Sequence, residues 1–378
     1  MTGRPIRVLA LSPIPEEGAG CRFRVAQYIP YLREVGFEVT ISAFYTPAFF
    51  DVVYRRGRYG TKAALFLART ARRLLELLSV TRYDLVLLYR EAIPLGPPVL
   101  ERLIAARGIP IVYDFDDAIF LPNVSDANKA IGFLKNPGRV ATILKLSTEV
   151  IVGNEFLAAY ARRHAASVTV IPTAVDTSRF RPRADPRREG DELVVGWIGS
   201  PTTFPYLEGL APVLRDVAQR HRFVLKVSGA GRAAVNFPGV NVQVAPWSMR
   251  DEVTLFNSCD VGVYPLADDD WARGKCGFKA IQCMACGVPV VAAAVGVNRE
   301  IIDDGINSFL ASTHEEWVAK LGRLLSESEL RTRMAVAGRR TIEDRYSLHL
   351  TAPRIAAVLA ASLDRNAHAA TTPVKGKA

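Results

Sequence analysis

The chain has 378 residues, 49% hydrophobic and 23% charged, which is material for two globular cores rather than one. Its formal net charge of +10 calls for an anionic partner, either a nucleotide diphosphate, an anionic lipid or a nucleic acid. No zinc-finger spacing, RNP-like aromatic motif or homeodomain pattern occurs, so nucleic acid drops out, and no apolar run approaches the ~18–20 residues that span a bilayer.

The opening MTGRPIRVLALSPIPEEG carries an apolar run followed by Pro and two Glu instead of a small-residue cleavage site. It is therefore read as a first strand, Ile6–Leu11, and not as a signal peptide. A loop and helix follow, with Ala26, Ile29, Leu32 and Val35 at helical spacing. Gly18 and Gly20 allow close backbone approach to a ligand or simply form a flexible turn. Arg22 and Arg24 either reach an anion or sit as surface arginines. Glu38–Phe44 reads as the second strand. Arg55–Ser79 (RRGRYGTKAALFLARTARRLLELLS) is a basic amphipathic segment, with Arg55, Arg56, Arg58, Lys62, Arg69, Arg72 and Arg73 among Ala and Leu. It is either a surface for anionic lipid or a core helix with a solvated basic face.

Asp84–Tyr89 and Pro110–Tyr113 read as buried strands with a crossover helix over Pro94–Gly108. The second strand runs into YDFDDAIFLPN, the most polar strand end in this half, where ligands of open α/β sheets gather. Asp114, Asp116 and Asp117 crowd there, and like charges this close either raise one carboxyl pKa or call for a cation or a lysine nearby, unless an Asp caps the next helix or satisfies loop amides. Glu149–Gly153 and Ser167–Ile171 complete this half. Periodicity then stops across PTAVDTSRFRPRADPRREGDE, which marks a boundary near Pro172–Asp191.

In the second half Leu193–Ile198 reads as a strand with the loop Gly199–Thr203 after it. Phe204–Gln219 reads as one helix, Phe223–Val227 and Val240–Val244 as strands, Asp251–Ser258 as a short helix and Val261–Tyr264 as a strand. Trp271, in the loop that follows, either stacks on a base or sugar or packs. The stretch Asp268–Gly305 then gives loop, helix, turn and strand. Gly277 opens the helix FKAIQCMA, Gly287 stops it, and Val288–Ala293 suits a buried parallel strand. Lys275, Lys279 and Gln282 recur at i, i+4 and i+7, while Phe278, Ile281 and Ala285 take the other face. Two ammonium groups, a helix N-terminus and an amide suit a phosphate ester, although the same spacing also describes an ordinary solvated face. Cys283 and Cys286 lack a second Cys or His pair, so no metal site is expected, and the five cysteines, an odd count, fit a reducing cytoplasm better than a disulfide framework. His314–Leu325, Glu327–Ala337 and Leu348–Leu363 read as helices, and the tail from Asp364 is expected to be disordered.

The stretch GFKAIQCMACGVPVVAAAVGVNREIIDDG resembles the nucleotide-sugar-binding segment of the family 4 (GT-B, retaining) glycosyltransferases, usually written E-G-F-G-x-x-x-x-E-A-M-A-C-G-x-P-V-V-A with a glycine loop and P-E-I-I-x-x-G after it. The family's paired glutamates fall here on Gly274 and Gln282, and the sequence is similar instead to a subgroup with G-K-x-G-F-K-x-x-Q. Y-D-x-D-D at Tyr113–Asp117 resembles the same subgroup, and I-P-x-x-V-D-x-x-x-F resembles the family's interdomain connection. The resemblance implies an α/β GT-B fold with two doubly wound Rossmann-like domains facing across a cleft. The expected division is an acceptor-side domain (1–172), a linker (173–191), a donor domain (192–346), a helix crossing back (347–363) and the tail (364–378).

It further implies that Gly199, Ser200, Thr202, Lys275, Gly277, Lys279, Gln282, Gly296, Asn298 and Glu300 bind the donor and that Asp116 and Asp117 are the catalytic carboxylates. Gly18, Gly20, Arg22 and Arg24 would line the cleft. The family's Arg and Lys after the first donor-domain strand are absent here, so Lys275 and Lys279 are expected to neutralise the diphosphate. The implied activity is hexosyl transfer with retention from a nucleotide-diphosphate sugar, a co-substrate, without a metal cofactor. The acceptor would be a glycan or lipid-linked, and the protein cytoplasmic, with contact to the inner face of an anionic membrane. Two alternatives stand beside it: a non-catalytic sugar-nucleotide or glycan-binding relative, and a sugar-nucleotide epimerase on the same fold.

Overall fold

The computed structural model describes residues 4–53, 57–122, 136–184, 192–231 and 234–371. The chain forms two compact units, residues 1–173 with 351–378 and residues 174–350. Residues 185–191 of the expected linker, along with Arg55 and Arg56, lie outside the described residues.

The first unit holds six parallel strands: β1 (Ile6–Ser12), β2 (Phe37–Ala43), β3 (Leu85–Tyr89), β4 (Ile111–Phe115), β5 (Glu149–Val152) and β6 (Val168–Val170). Their order is β2-β1-β3-β4-β5-β6. Every residue of β3 and β4 is buried, because helices cover both faces of such a sheet; this is why LVLLY and IVYDF are runs rather than alternations. Strand order reverses direction between β1 and β3.

The second unit repeats the plan with β7 (Leu193–Ile198), β8 (Phe223–Ser228), β9 (Asn241–Ala245), β10 (Val261–Tyr264), β11 (Val290–Ala293) and β12 (Phe309–Ala311), in the order β12-β11-β10-β7-β8-β9. Here the reversal falls between β7 and β10. Trp197, Phe204, Leu214, Leu225 and Leu321 anchor its core.

Several boundaries differ from the sequence expectation, each for a local reason. The single helix expected over Phe204–Gln219 is two, Phe204–Gly209 and Ala211–Ala218, since Pro212 cannot donate backward and starts a new first turn. The helix through Ala26 and Val35 is likewise broken into Ala19–Arg24, a 3-10 turn at Ala26–Tyr28 and Ile29–Glu34, the last with Pro30 in its first turn. Its buried side is Cys21, Phe23, Val25, Tyr28 and Leu32, whereas Val35 is exposed. The strand β12 has only three residues, too few to carry a period. The last helix runs Leu348–Thr371, beyond Asp364, on an alanine-rich sequence of high helix propensity. Within the first unit Arg354 donates to the Val170 carbonyl (2.6 Å), Arg365 pairs with Glu149 (3.0 Å) and Asn366 donates to the Gly108 carbonyl (3.0 Å).

The largest departure concerns the basic amphipathic segment. It is the helix Tyr59–Glu76 continued by a 3-10 turn, Leu77–Arg82, and Leu67, Leu74, Leu75 and Leu78 point outward while Leu77 is buried. Arg73 is 2% exposed and donates to the carbonyls of Ser12, Ser42 and Ala92 and to Ser42 Oγ. Arg69 donates to the carbonyls of Ala43 and Phe44, both at 2.7 Å. A core helix with a solvated basic face is therefore not what forms: two of the arginines cap the ends of β1 and β2.

Candidate functional site

Ligands of doubly wound sheets bind beyond the carboxyl ends of the strands where the order reverses. In the second unit that point is the β7–β10 boundary, and β11 lies next to β10. The loops after these three strands hold most of the expected donor residues. After β7, Ser200 and Thr203 close a tight turn. The Ser200 amide donates to Thr203 Oγ1 (3.0 Å), and the Ser200 and Thr202 hydroxyls lie 2.9 Å apart. Gly199 is required here: a Cβ would meet the Trp197 ring at 2.2 Å.

After β10, Asp269 caps the short helix Asp270–Arg273 by accepting from the Ala272 amide at 2.7 Å. The chain then delivers Lys275, whose ammonium stands 5.6 Å from the Trp271 ring centroid in a cation–π pairing. Gly277 follows at φ 63°, begins the helix Phe278–Ala285, and is not assisted by any side-chain cap. A glycine N-cap offers no side chain of its own to that helix start, and the positive end of the helix dipole lies there. After β11, Gly296 (φ 51°) lies against the backbone of Arg273, so the two loops pack directly. Asn298 is 1% exposed and donates to the Ala293 carbonyl at 3.0 Å. Its Oδ1 faces Gly277, 3.2 Å from where a Cβ would stand, and has no hydrogen-bond partner among the described residues. Glu300 is exposed in the next turn.

Gln282 and Lys279 are engaged elsewhere. Gln282 is fully buried and donates from Nε2 to Glu252 Oε1 at 3.0 Å, while its Oε1 accepts from Lys279 Nζ at 3.0 Å. Glu252 is itself fully buried, on the helix Glu252–Asn257, with Arg179 4.0 Å from its other oxygen. The amide thus relays between a cation and a carboxylate, and the Lys279 ammonium lies 5.7 Å from the Phe256 ring centroid. Sequence reasoning missed Glu252; the only available signal was that a buried glutamine needs partners on both sides of its amide. Cys276 and Cys286 are buried, in keeping with small hydrophobes.

In the first unit the reversal falls between β1 and β3, and the acidic motif ends β4 beside β3. Arg90, one residue past β3, adopts a left-handed conformation (φ 58°) and donates to the Asp114 carbonyl through its amide (2.8 Å). Its guanidinium then reaches Asp116 Oδ1 at 2.7 Å and also Asp117 Oδ2. Tyr89 Oη donates to the same Asp116 oxygen at 2.8 Å. Arg90 is therefore the cation that the carboxylates needed, and sequence reasoning did not name it.

Gly20 permits this arrangement, since a Cβ there would lie 2.1 Å from Tyr89 Oη. Gly18 donates to the Pro15 carbonyl at 3.0 Å in the preceding turn. Burial pushes the Asp116 carboxyl up, but the charges of Arg90 and Arg24 and the hydrogen bonds from Arg90 and Tyr89 outweigh it and hold it below the usual carboxylate range. Asp114 differs. It is 1% exposed, bound by Arg24 through two parallel hydrogen bonds of 2.9 and 2.7 Å, and burial raises it despite that partner. Arg24 also donates to the Ile171 carbonyl at 2.8 Å. Arg24 and Arg22, 1% and 5% exposed, are buried rather than surface residues, and the Arg24 fork is committed to Asp114.

Residues 193–327 match the family described as glycosyl transferases group 1. Over 198 residues the chain is 31% identical to a D-inositol 3-phosphate glycosyltransferase of Stackebrandtia nassauensis, covering 44% of this chain and 43% of the relative. The chain spans about half the length of the curated relatives it matches. Among solved structures, sucrose-phosphate synthase from Thermosynechococcus elongatus superposes with a TM-score of 0.70 at 17% identity, covering 98% of this chain and 100% of that one. Anabaena Alr3699/HepE in complex with UDP-glucose gives 0.65 at 17% identity over 94% and 99%. The likeness to these structures establishes the fold: two parallel six-stranded sheets of the GT-B type. Across residues 193–327, where the donor-side loops lie, the chain matches the glycosyl transferases group 1, a family of transferases.

Proposed function

We propose that this protein transfers a hexosyl group, with retention, from a nucleotide-diphosphate sugar to a glycan or lipid-linked acceptor. The observation that carries the proposal is the helix start at Gly277: an N-terminus without a side-chain cap, next to Lys275, at the strand-order reversal of the unit that matches the transferase family. The first helical amides and Lys275 receive the diphosphate, and Lys279, held by Gln282 and Glu252, adds a fixed positive charge behind them. Asn298 Oδ1 accepts from a sugar hydroxyl, and the Ser200 and Thr202 hydroxyls take part on the β7 side. The bond from the sugar C1 to the β-phosphate oxygen breaks, and a bond from C1 to the acceptor oxygen forms on the same face. The acceptor proton leaves on the departing diphosphate. Charge developing on that diphosphate is met by preorganised donors, so the reaction runs without a metal.

Asp116 and Asp117, oriented by Arg90, are assigned to holding the acceptor hydroxyl. A lipid-linked acceptor would bring the enzyme to the cytoplasmic face of a membrane. The relative solved with UDP-glucose makes that compound the first donor to try.

The test is nucleotide release from a panel of nucleotide sugars, in the presence of chelator, with the anomeric configuration of product or hydrolysed sugar followed by NMR. Chelator-insensitive release with retained configuration is expected. Nucleotide binding with no release from any sugar conjugate would favour the non-catalytic alternative, which the absence of Arg and Lys from the Gly199–Thr203 loop also favours.

A further inference from the structure

The helix Tyr59–Glu76 and its continuation turn their most apolar face to solvent. Leu67, Leu74, Leu75 and Leu78 are 68%, 44%, 65% and 75% exposed. With Ala64, Ala68 and Ala71, also exposed, they recur at three- and four-residue spacing and form one stripe about four turns long. The charge distribution is equally one-sided. From Gly57 to Arg82 the chain has a single acid, Glu76, which is half-buried, accepts from Arg73 and Ser42 through one oxygen and makes a longer contact of 3.4 Å to Arg72 through the other. At exposed positions of the same stretch stand Arg58, Arg72 and Arg82, and no acid.

We infer that this face is a docking surface for an anionic lipid bilayer, with the leucine stripe lying among the acyl chains and Arg58, Arg72 and Arg82 at the headgroups. Two features select a membrane. An exposed row of four leucines, on a helix whose Arg69 and Arg73 are turned into the fold, gains no hydrophobic stabilisation in water, so it needs an apolar partner. Along Gly57–Arg82 the exposed charges are all positive, which complements anionic headgroups, whereas a second copy of this stretch would set like charges against each other. Inward placement of Arg69 and Arg73 fixes the helix to the sheet through backbone carbonyls, so the stripe is presented on a rigid base. The inference stands apart from the donor chemistry, since the surface belongs to the other unit.

The experiment is co-sedimentation of the full chain with phosphatidylcholine vesicles, with and without phosphatidylglycerol. It compares wild type, the quadruple Leu67→Ser, Leu74→Ser, Leu75→Ser, Leu78→Ser variant, and Arg72→Glu, with light scattering to fix the oligomeric state. Wild type is expected to sediment with the anionic vesicles only. The quadruple variant is expected to lose binding with its melting temperature unchanged, because the replaced side chains touch water. Arg72→Glu, at an exposed side chain whose contact to Glu76 is a surface pair of 3.4 Å, keeps the test available should the quadruple variant unfold and is expected to lower partitioning roughly tenfold or more. Equal sedimentation of wild type and Arg72→Glu, or no sedimentation of wild type, would overturn the proposal. So would a dimer abolished by the serine substitutions, which would give the face to a second copy.

Discussion

The two units end the reversal points of their sheets in opposite ways. In the first, charge meets charge within the fold: Asp114 is held by Arg24, and Asp116 and Asp117 by Arg90, with Tyr89 adding a hydrogen bond. In the second, the loops converge through glycine, the central helix starts without a side-chain cap, and the Asn298 acceptor has no partner among the described residues. The same architecture thus supports a carboxylate cluster paired with arginines within the fold and a glycine-lined loop set that carries Lys275 beside a helix start without a side-chain cap. Fold alone does not distinguish them; the side chains one or two residues past each strand do.

The largest effect should come from breaking the closed side. Arg24→Ala leaves the Asp114 carboxyl buried without its partner, and is expected to cost about 3–5 kcal/mol in chemical denaturation. Arg24→Met with Asp114→Leu should recover most of that loss. If the single variant were as stable as wild type, the first cluster would not be held by pairing.

On the other side, Glu252→Leu strands the Gln282 amide and should cost about 1–3 kcal/mol, with Glu252→Gln costing less because an acceptor oxygen remains. Urea titration of both variants measures the difference, and equal losses would mean that Glu252 acts by charge and not as an acceptor. Gly277→Ala forces a left-handed alanine at the helix start and should lose about 1–2 kcal/mol. It should also weaken nucleotide binding, whereas an alanine at Gly18, which has no such φ, leaves nucleotide binding unchanged.

The smallest expected effect is a pH slope. Because Asp116 is held low in the folded state, its contribution is complete above the unfolded carboxylate value of about 3.9 and is lost as pH falls through the lower folded value. Melting curves of wild type and Asp116→Asn should therefore converge in acid, separate as pH rises through the carboxylate range and stay apart above it; a separation that persists unchanged into acid would refute the assignment to Asp116.

Strand positions were legible because buried parallel strands such as Leu85–Tyr89 and Val261–Tyr264 are uninterrupted apolar runs between turn residues. The start and end of the central helix were legible from Gly277 and Gly287, each with a positive φ. What escaped was partnership across sequence. Arg90 meets Asp116 only because β3 and β4 pair in register, and Glu252 meets Gln282 from thirty positions away. The periodicity of the Tyr59–Glu76 helix located its apolar stripe correctly but not its direction. Spacing marks a face, whereas what the face meets is set by tertiary contacts, here the backbone carbonyls that Arg69 and Arg73 reach.

The central claim is that an anionic diphosphate completes the second unit's strand-end loops beside Lys275. The most direct measurement is calorimetric titration of UDP, GDP and ADP into wild type and Lys275→Ala. One nucleotide family should bind wild type, about tenfold more weakly in the variant, as expected for loss of a charge-assisted contact. Equal affinity in both proteins, or no binding of any nucleotide to wild type, would contradict the account.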